Sequence, residues 1–575
     1  MDDFKGLLKN FKPSDLNLPA KFTEFRPEQR RILKKLEQAE NKIISMQLPP
    51  GLGKNPIAVA YARNQGASRT VYATHQKNLQ TQVVGDFSHD LTGKELAVEL
   101  KGRDNYTCLK NCNLSCYECT KTMGNKWSKH CASCEYKRCG VRNDGGAVRW
   151  INECPCAQEC PYGLAKDKAS QAELAVLNTA YFLAEANASG SKFSGLPLVI
   201  LDEADQIENA LLSHIAVEIP LKLLNRLGLK PPPMTNPIRI DETGPWVAAA
   251  MAAMQARITE LTRNKEPSML DIRDRGTLAR IMQKLTDFCA EDLDEWVVIA
   301  PNNTPLQVVT WKLVNIRKHA DKYLWRHGAR FLLLSGTVLN WGRMAADLGL
   351  KENETTFIEA ESDFPPETRP IFYIPTANMT DKNVRSAGLD ETWGAIARKT
   401  DEIIQNKPGV KGLVQSPSYE FARYFYEHST HRDRLITHNN PAERDRAIET
   451  LKESPLPLVM VSPSLSRGFD GKDDLCRFIV VTKVPYPNPT DPQIARRLQE
   501  PGGQVWFDLN VIRTLIQETS RGNRHKNDFC RIYILDAQFG KLFYGYQDQN
   551  GLWHSGYSGA FPKWWKIALK YENTA

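Results

Sequence analysis

The chain reads as an α/β protein with parallel sheets and more than one domain, on three observations. A short apolar run, Lys42-Ile43-Ile44-Ser45-Met46, enters the turn Gln47-Leu48-Pro49-Pro50-Gly51-Leu52-Gly53-Lys54-Asn55 and leaves it through the Ala-rich stretch Pro56–Ala62. Continuous apolar runs return at Leu198–Leu201 and Phe331–Leu334, the pattern of strands buried on both faces. Strand and helix patterns then resume after a composition break at Asp363-Phe364-Pro365-Pro366, in a chain of 575 residues, too long for one core.

The first unit carries chemistry. A strand, a Gly-rich turn and a helix with Gly-Lys at its start form a phosphate cradle, in which backbone N–H groups and the helix's positive end face the anion. On this reading Pro50, Gly51, Leu52, Gly53 and Lys54 hold phosphate, with Lys54 reaching the outer groups. The residue after that lysine is ordinarily Ser or Thr, whose hydroxyl binds magnesium; here it is Asn55. Taken alone, the match is also compatible with an ordinary strand–turn–helix.

In chain order, Phe25-Arg26-Pro27-Glu28-Gln29 opens a helix, and the Gln29 amide is a candidate reader of adenine. Arg69–Thr74 is strand-like and leads into His75–Gln82, a polar helix start that suits the phosphates of a strand. Leu198–Leu201 delivers Asp202-Glu203-Ala204-Asp205 at its C-terminal end, where ligands bind in open parallel sheets. A carboxylate there can hold magnesium while its neighbour orients the attacking water. Residues 206–328 read as mostly helical, with Trp246–Arg263 and Thr277–Trp296 as the clearest helices. Beyond the break, strands are expected at Gly412–Ser416, Leu458–Ser462, Cys476–Thr482 and Arg531–Asp536. Before the last lies Gln517-Glu518-Thr519-Ser520-Arg521-Gly522-Asn523-Arg524, whose two arginines three apart would share a helix face. Such a fork can neutralise charge developing on a γ-phosphate. The aromatic tail, from Phe543 to Trp565, is expected to pack on the second domain rather than stack on bases.

Bulk properties set limits. The longest apolar runs fall short of a membrane span, and the acidic opening Met1-Asp2-Asp3 lacks an apolar signal core, so an intracellular protein is expected. A net charge of +8 permits nucleic-acid binding without arguing for it. Ten of the thirteen cysteines fall between Cys108 and Cys160, a local cluster that points to metal ligation rather than a disulfide framework. Cys116-x₂-Cys119-x₁₁-Cys131-x₂-Cys134 has spacing that suits a tetrahedral zinc.

These residues resemble the XPD/DinG group of superfamily 2 helicases with an iron–sulfur domain. The specific pieces are Lys101-Gly102-Arg103-x-Asn105-Tyr106-x-Cys108, Cys160-Pro161-Tyr162, Arg467-Gly468-Phe469-Asp470 and Lys483–Pro492. Ala73-Thr74-His75 with Lys77-Asn78-Leu79-Gln80 leans towards DinG. The resemblance implies two RecA-like motor domains with ATP between them, the first interrupted by an iron–sulfur insertion and a helical arch. The boundaries expected are 1–100, 166–208 and 329–363 for the first motor domain, 101–165 for the cysteine-rich domain, 209–328 for the arch and 364–575 for the second motor domain. It implies a monomeric, cytoplasmic or otherwise DNA-associated enzyme that translocates 5′→3′ on single-stranded DNA and unwinds forked duplexes.

By position, the resemblance gives Lys54 to phosphate, Asp202 and Asn55 to magnesium, Glu203 to the hydrolytic water, and Arg521 and Arg524 to the fingers. Gly468, Asp470 and Gln517 would face the nucleotide; Thr74, His75, Lys77, Ser416 and Tyr419 would lie along the DNA. Cys108 and Cys160 match the outer ligands of a [4Fe–4S] cluster, which takes four thiolates. Cys154 and Cys156 are favoured for the inner pair, with Cys139 the rival, and the leftover thiols leave a zinc site or spare cysteines open. Asn55 departs from the family, and weaker ATP turnover is expected from it. The alternative is therefore a clamp on single-stranded nucleic acid with weak ATPase. RNA–DNA hybrid stays open as a substrate, and no nuclease carboxylate cluster is evident.

Overall fold

A computed structural model describes residues 12–106, 140–142, 148–150, 160–263, 269–301, 307–465 and 469–571. Its strands in chain order begin with β1 (Ile43–Gln47), β2 (Thr70–Thr74), β3 (Ala97–Leu100), β4 (Gly140–Arg142), β5 (Val148–Trp150), β6 (Leu174–Asn178) and β7 (Leu196–Asp202). Next come β8 (Val217–Pro220), β9 (Trp296–Ile299), β10 (Val308–Leu313), β11 (Gly328–Ser335) and β12 (Thr355–Glu359). The second half adds β13 (Ile371–Ala377), β14 (Gly412–Gln415), β15 (Leu435–Ile436), β16 (Val459–Ser462), β17 (Phe478–Val481) and β18 (Arg531–Asp536), then β19 (Gly545–Gln547), β20 (Trp553–Ser555) and β21 (Leu569–Tyr571).

Two seven-stranded sheets organise these elements. The first runs β12-β1-β11-β7-β2-β6-β3 and the second β15-β16-β14-β17-β18-β13-β21, and every pairing within them is parallel. These are the two RecA-like sheets expected from the sequence. Because side chains alternate across a strand, each apolar run serves two cores. In the first sheet Ile43, Val71, Val199 and Phe331 pack on one face, while Ile44, Tyr72, Ile200 and Leu332 pack on the other. In the second sheet Leu413 and Ile479 face one core, and Val414 and Val480 the other.

The stretch between β7 and β11 is mostly helical, as expected, but β8, β10 and β9 form an antiparallel sheet inside it that was not expected from the sequence. The helix expected over Thr277–Trp296 instead spans Met269–Cys289, and its partner spans Ile240–Arg263. Asp292 caps a new turn by accepting from the Asp294 N–H, after which Trp296-Val297-Val298-Ile299 pairs with Thr310–Leu313. The β-branched run favours the strand, and Trp296 is held edge-on to Phe288 at 5.1 Å between ring centres.

The aromatic tail divides. Phe561, Trp564 and Trp565 are buried with Phe539 and Phe543 in the second domain, as expected, and the Trp565 Nε1–H donates to Thr519 Oγ1 at 2.9 Å. Tyr544, Tyr546 and Trp553, on or beside the β19–β20 hairpin, are exposed.

The two halves meet over a buried ionic cluster. Arg497, fully buried on the helix Pro492–Leu498, donates to Asp347 at 2.6 Å, Glu208 at 3.2 Å and Glu500 at 3.0 Å. Arg317 and Arg343 also pair with Asp347, and the Trp506 Nε1–H donates to Glu208 at 3.0 Å. Three guanidiniums and three carboxylates thus compensate one another in a largely buried seam, where an unpaired charge would be costly. Arg497→Ala, which leaves Glu208 without a guanidinium and the cluster one positive charge short, should cost about 3–5 kcal/mol. It should lower the calorimetric unfolding midpoint by several degrees; a midpoint unchanged within about a degree would show that the cluster adds no net stability.

Candidate nucleotide and nucleic-acid site

The parallel register sets three strand ends side by side. Gln47 pairs with Ser335 across β1 and β11, and Leu334 pairs with Asp202 across β11 and β7. The Gly-rich loop, the Ser335-Gly336-Thr337 turn and the Asp202–Asp205 turn therefore leave the sheet together, at its C-terminal edge.

The loop's shape rests on two glycines in the left-handed region, Gly51 (φ 79°) and Gly53 (φ 81°), a conformation costly for other residues. Neither site has room for a side chain. A Cβ at Gly51 would lie 2.2 Å from the Phe364 ring and 2.8 Å from the Arg524 carbonyl; at Gly53 it would lie 2.7 Å from Gln29 Nε2. The helix Lys54–Asn64 then begins directly on the lysine. Gln29 donates its amide N–H to the Leu52 carbonyl at 2.8 Å and accepts from the Arg26 N–H at 2.9 Å. In this structure that amide ties the start of its own helix to the end of the loop.

Lys54 Nζ bonds Asp202 Oδ1 at 2.8 Å, and the same oxygen accepts from the Glu203 N–H at 2.9 Å. Burial works to lower the Lys54 pKa, but the carboxylates of Asp202, Glu203 and Asp205 outweigh it and raise it. The lysine is thus a fixed cation beside the loop. Glu203 takes a left-handed backbone conformation (φ 53°), uncommon for a residue with a Cβ and frequent at functional turns. Asn55 Oδ1 accepts from the Tyr72 hydroxyl at 2.8 Å. Burial foremost, then the Asp202 and Glu203 carboxylates, pushes the Tyr72 phenol well above its ordinary value, so the group stays a neutral donor.

Gln517, expected to face the nucleotide, joins the two domains together with residues beyond the expected set. Asp205 accepts from Ser335 Oγ at 2.7 Å and from Gln517 Nε2 at 2.8 Å. Gln517 reaches Thr337 Oγ1 at 3.2 Å, and Arg513 Nε donates to the Thr337 carbonyl at 3.1 Å. The sequence signal for Asp205 was its place in the Asp-Glu-Ala-Asp turn, and that for Ser335 and Thr337 their place after an apolar run. Tyr72 gave none, because it sits inside an ordinary strand pattern.

The arginines require a correction. The helix Gly503–Thr519 ends before them, so Arg521 and Arg524 do not share a helix face; both lie in the loop that follows. Arg524 Nε pairs with Asp470 at 2.7 Å, the Arg524 N–H donates to Asp528 at 3.0 Å, and its carbonyl abuts Gly51. Arg521 donates to the Phe469 carbonyl at 3.5 Å. The loop thereby reaches the Gly-rich turn from the second domain. Gly468 lies outside the described residues.

The residues expected along DNA occupy strand ends in both sheets. Thr74 closes β2, and its buried Oγ1 has no partner among the described residues. The His75 carbonyl accepts from Asn178 Nδ2 at 2.8 Å, and Lys77 opens the helix Lys77–Phe87 and bonds Asn105. Ser416 follows β14 and bonds the Ser418 carbonyl, while Tyr419 opens the helix Tyr419–His428 with its ring edge-on to His438.

The cysteine cluster is described only at Cys160, which precedes the helix Pro161–Gln171; Cys108, Cys116, Cys119, Cys131, Cys134, Cys139, Cys154 and Cys156 lie outside the described residues. The two flanking motifs meet, however. Arg103 sits over the Tyr162 ring at 4.9 Å, Tyr106 lies edge-on to that ring at 5.8 Å, and the Tyr162 hydroxyl is 2.6 Å from that of Tyr181. Both ends of the insertion are anchored on the same patch of the first domain.

Known proteins resemble this chain as follows. Residues 401–549 match the family described as a helicase C-terminal domain. The ATP-dependent DNA helicase YoaA of Haemophilus influenzae is 20% identical over 94% of this chain and 96% of its own length. The ATP-dependent DNA helicase DinG of Photobacterium profundum is 22% identical over 44% of this chain and 38% of its own. With the ATP-dependent DNA helicase chl-1 of Caenorhabditis elegans identity is 25% over 27% of this chain, which spans only 21% of that relative. Among solved structures, an XPD helicase aligns at TM-score 0.62 and 15% identity over 96% of this chain and 100% of its own. Xpd4 of S. tokodaii aligns at 0.56 and 12% over 95% and 100%, so the fold is shared. Among the described residues, no helix is long and apolar enough to cross a membrane.

Glu518 is buried just before the arginine loop, and its Oε2 has no partner among the described residues. Burial pushes its pKa up to about 8, with Arg521 working the other way. The folded chain therefore holds a proton that the unfolded chain releases above its ordinary value of 4.5. Its stabilising contribution is complete below that pH and is lost as pH rises through about 8. Glu518→Gln should raise the melting temperature over the unaltered chain by a margin that grows as pH rises from 4.5 and levels off above about 8. A difference that stays flat across that range would refute the assignment.

Proposed function

We infer that this chain, which belongs to the XPD/DinG-like group of superfamily 2 helicases, is an ATP-driven DNA helicase that moves 5′→3′ along a single strand. The observation that carries the reading is the shared strand-end edge. A glycine-built loop, Lys54 paired to Asp202, and Asp205 bonded across to Gln517 join a phosphate site to the second domain. These residues fit a nucleoside triphosphate and magnesium. The loop N–H groups and Lys54 would take the phosphates, and Asp202 would serve the cation, which supplies charge neutralisation on the β- and γ-phosphates when bound. Lys54 must then exchange part of its Asp202 contact for phosphate.

Glu203 would orient the attacking water. Arg524, already against Gly51, and Arg521 would neutralise charge from the far side. Loss of the γ-phosphate would weaken what holds the arginine loop against the phosphate turn. Asp205–Gln517 and Thr337–Arg513 are exchangeable contacts able to pass that change to the second domain. Strand ends on both sheets, at Thr74–Lys77 and Ser416–Tyr419, would hold the DNA backbone. Cys160, set where the insertion rejoins the first domain, would be one thiolate of a [4Fe–4S] cluster, with Cys108 and two of Cys154, Cys156 and Cys139. Zinc at Cys116, Cys119, Cys131 and Cys134 is the accompanying proposal.

Anaerobically purified protein should hydrolyse ATP with strong stimulation by single-stranded DNA, and should unwind a duplex bearing a 5′ overhang. Lys54→Ala should reduce turnover at least a hundredfold, because phosphate stabilisation dominates phosphoryl transfer. Preference for a 3′ overhang would overturn the polarity. Tight DNA binding without hydrolysis would establish the clamp reading instead. Metal analysis should find iron that is lost in Cys160→Ser; iron without zinc in fully loaded protein would remove the second site.

A further inference from the structure

The residue after the phosphate-loop lysine faces away from the role its position suggests. Asn55 stands in the first turn of the helix Lys54–Asn64, and its Oδ1 accepts a 2.8 Å hydrogen bond from the Tyr72 hydroxyl. Tyr72 is fully buried in the middle of β2. Its backbone is held from both sides, opposite Val176 in β6 and Ile200 in β7, so its hydroxyl is a rigid donor.

A carboxamide has one acceptor end and one donor end. The oxygen has a second lone pair, but the atom is turned onto the phenol, so the end of the amide on the opposite side is the NH₂. That end donates to a phosphate oxygen, but its nitrogen lone pair is delocalised into the carbonyl and does not ligate a hard cation, which takes oxygen. The Asp202 carboxylate is within hydrogen-bonding reach of the phenol as well and is the competing acceptor. Tyr72 has a single hydroxyl proton, and the 2.8 Å bond gives it to Asn55 Oδ1.

We propose that Tyr72 fixes the polarity of Asn55, turning its oxygen away from magnesium and its N–H groups towards the nucleotide phosphates, so that Asp202 is the side chain left to hold the cation. The proposal rests on the nucleotide-binding reading above and refines it. It assigns Tyr72 as a positioning residue that acts through Asn55, and it makes the departure at position 55 a change from metal ligand to phosphate donor.

The test is equilibrium binding of a fluorescent ADP to the intact protein, with magnesium and in magnesium-free buffer. The readout is the factor by which magnesium tightens binding. Asn55→Ala should weaken ADP roughly tenfold in both buffers, the value of one hydrogen bond to a charged acceptor, and leave the magnesium factor unchanged. Asn55→Thr, which supplies a hydroxyl ligand, should raise that factor about tenfold, with hydrolysis raised alongside. Tyr72→Phe should free the amide to present its oxygen and raise the factor above that of the unaltered chain. The same change made on Asn55→Ala should then do nothing further.

A magnesium factor that falls in Asn55→Ala would mean that Asn55 ligates the metal, and the proposal would be wrong. A factor unmoved by Tyr72→Phe in folded protein would equally sink it. The Asn55→Ala arm decides even where Tyr72→Phe fails to fold. Absence of any ADP binding by the unaltered chain would remove the nucleotide-binding reading, and this proposal with it; an adverse pattern among variants that bind ADP overturns only the proposal.

Discussion

Everything at the site depends on the parallel pairing of β1, β11 and β7. Strands in a sheet lie about 4.8 Å apart, so three neighbouring strand ends fall within the reach of one lysine or one aspartate. That spacing lets Lys54, at the end of one connection, meet Asp202, at the end of another. It also lets Ser335, on the strand between them, hold Asp205. A parallel sheet needs long crossovers between its strands, and it is in one such crossover, between β7 and β11, that the helical insertion with its small antiparallel sheet is accommodated without disturbing the edge.

The two domains meet through contacts of different character. Near the phosphate turn the bonds are single and polar: Gln517 to Asp205, Arg513 to the Thr337 carbonyl, Arg524 along the loop. Such contacts exchange readily with water or with a nucleotide. Around Arg497 the seam is a buried cluster of balanced charges with a tryptophan beneath it. Separating those groups exposes several charges to incomplete compensation, so that seam resists opening. Together they make a hinge-like arrangement, one margin adjustable and one held. Motion that follows nucleotide chemistry would concentrate at the adjustable margin.

Legibility in the sequence followed the range of the interaction. Strands β1, β7, β11, β14, β16, β17 and β18 were visible because burial on both faces leaves an apolar run, whereas the two-residue β15 carried no such signal. The Gly-rich loop was visible because only glycine serves where φ is positive and a Cβ would meet backbone or a packed side chain. The short sheet of β8, β9 and β10 was not: Trp296-Val297-Val298-Ile299 is four residues long, follows a genuine helix, and becomes a strand only when Thr310–Leu313 arrives to pair with it. The spacing of Arg521 and Arg524 suggested a helix face, yet the helix ends at Thr519, where Gly522 and the Asp528 bonds take the chain into a loop.

The sequence by itself determined that this chain folds as two parallel α/β domains and carries a Gly-rich loop, an acidic strand end and a local cluster of cysteines. Those features are written in local composition: apolar runs, glycine positions and cysteine spacing. Only the tertiary structure decided which way Asn55 turns, which residues bridge the domains and how Arg497 is neutralised. Each of those depends on a partner far along the chain, Tyr72 for Asn55, Gln517 for Asp205, Asp347 for Arg497. A side chain's polarity is satisfied by whatever the fold brings beside it, and no local pattern records that choice.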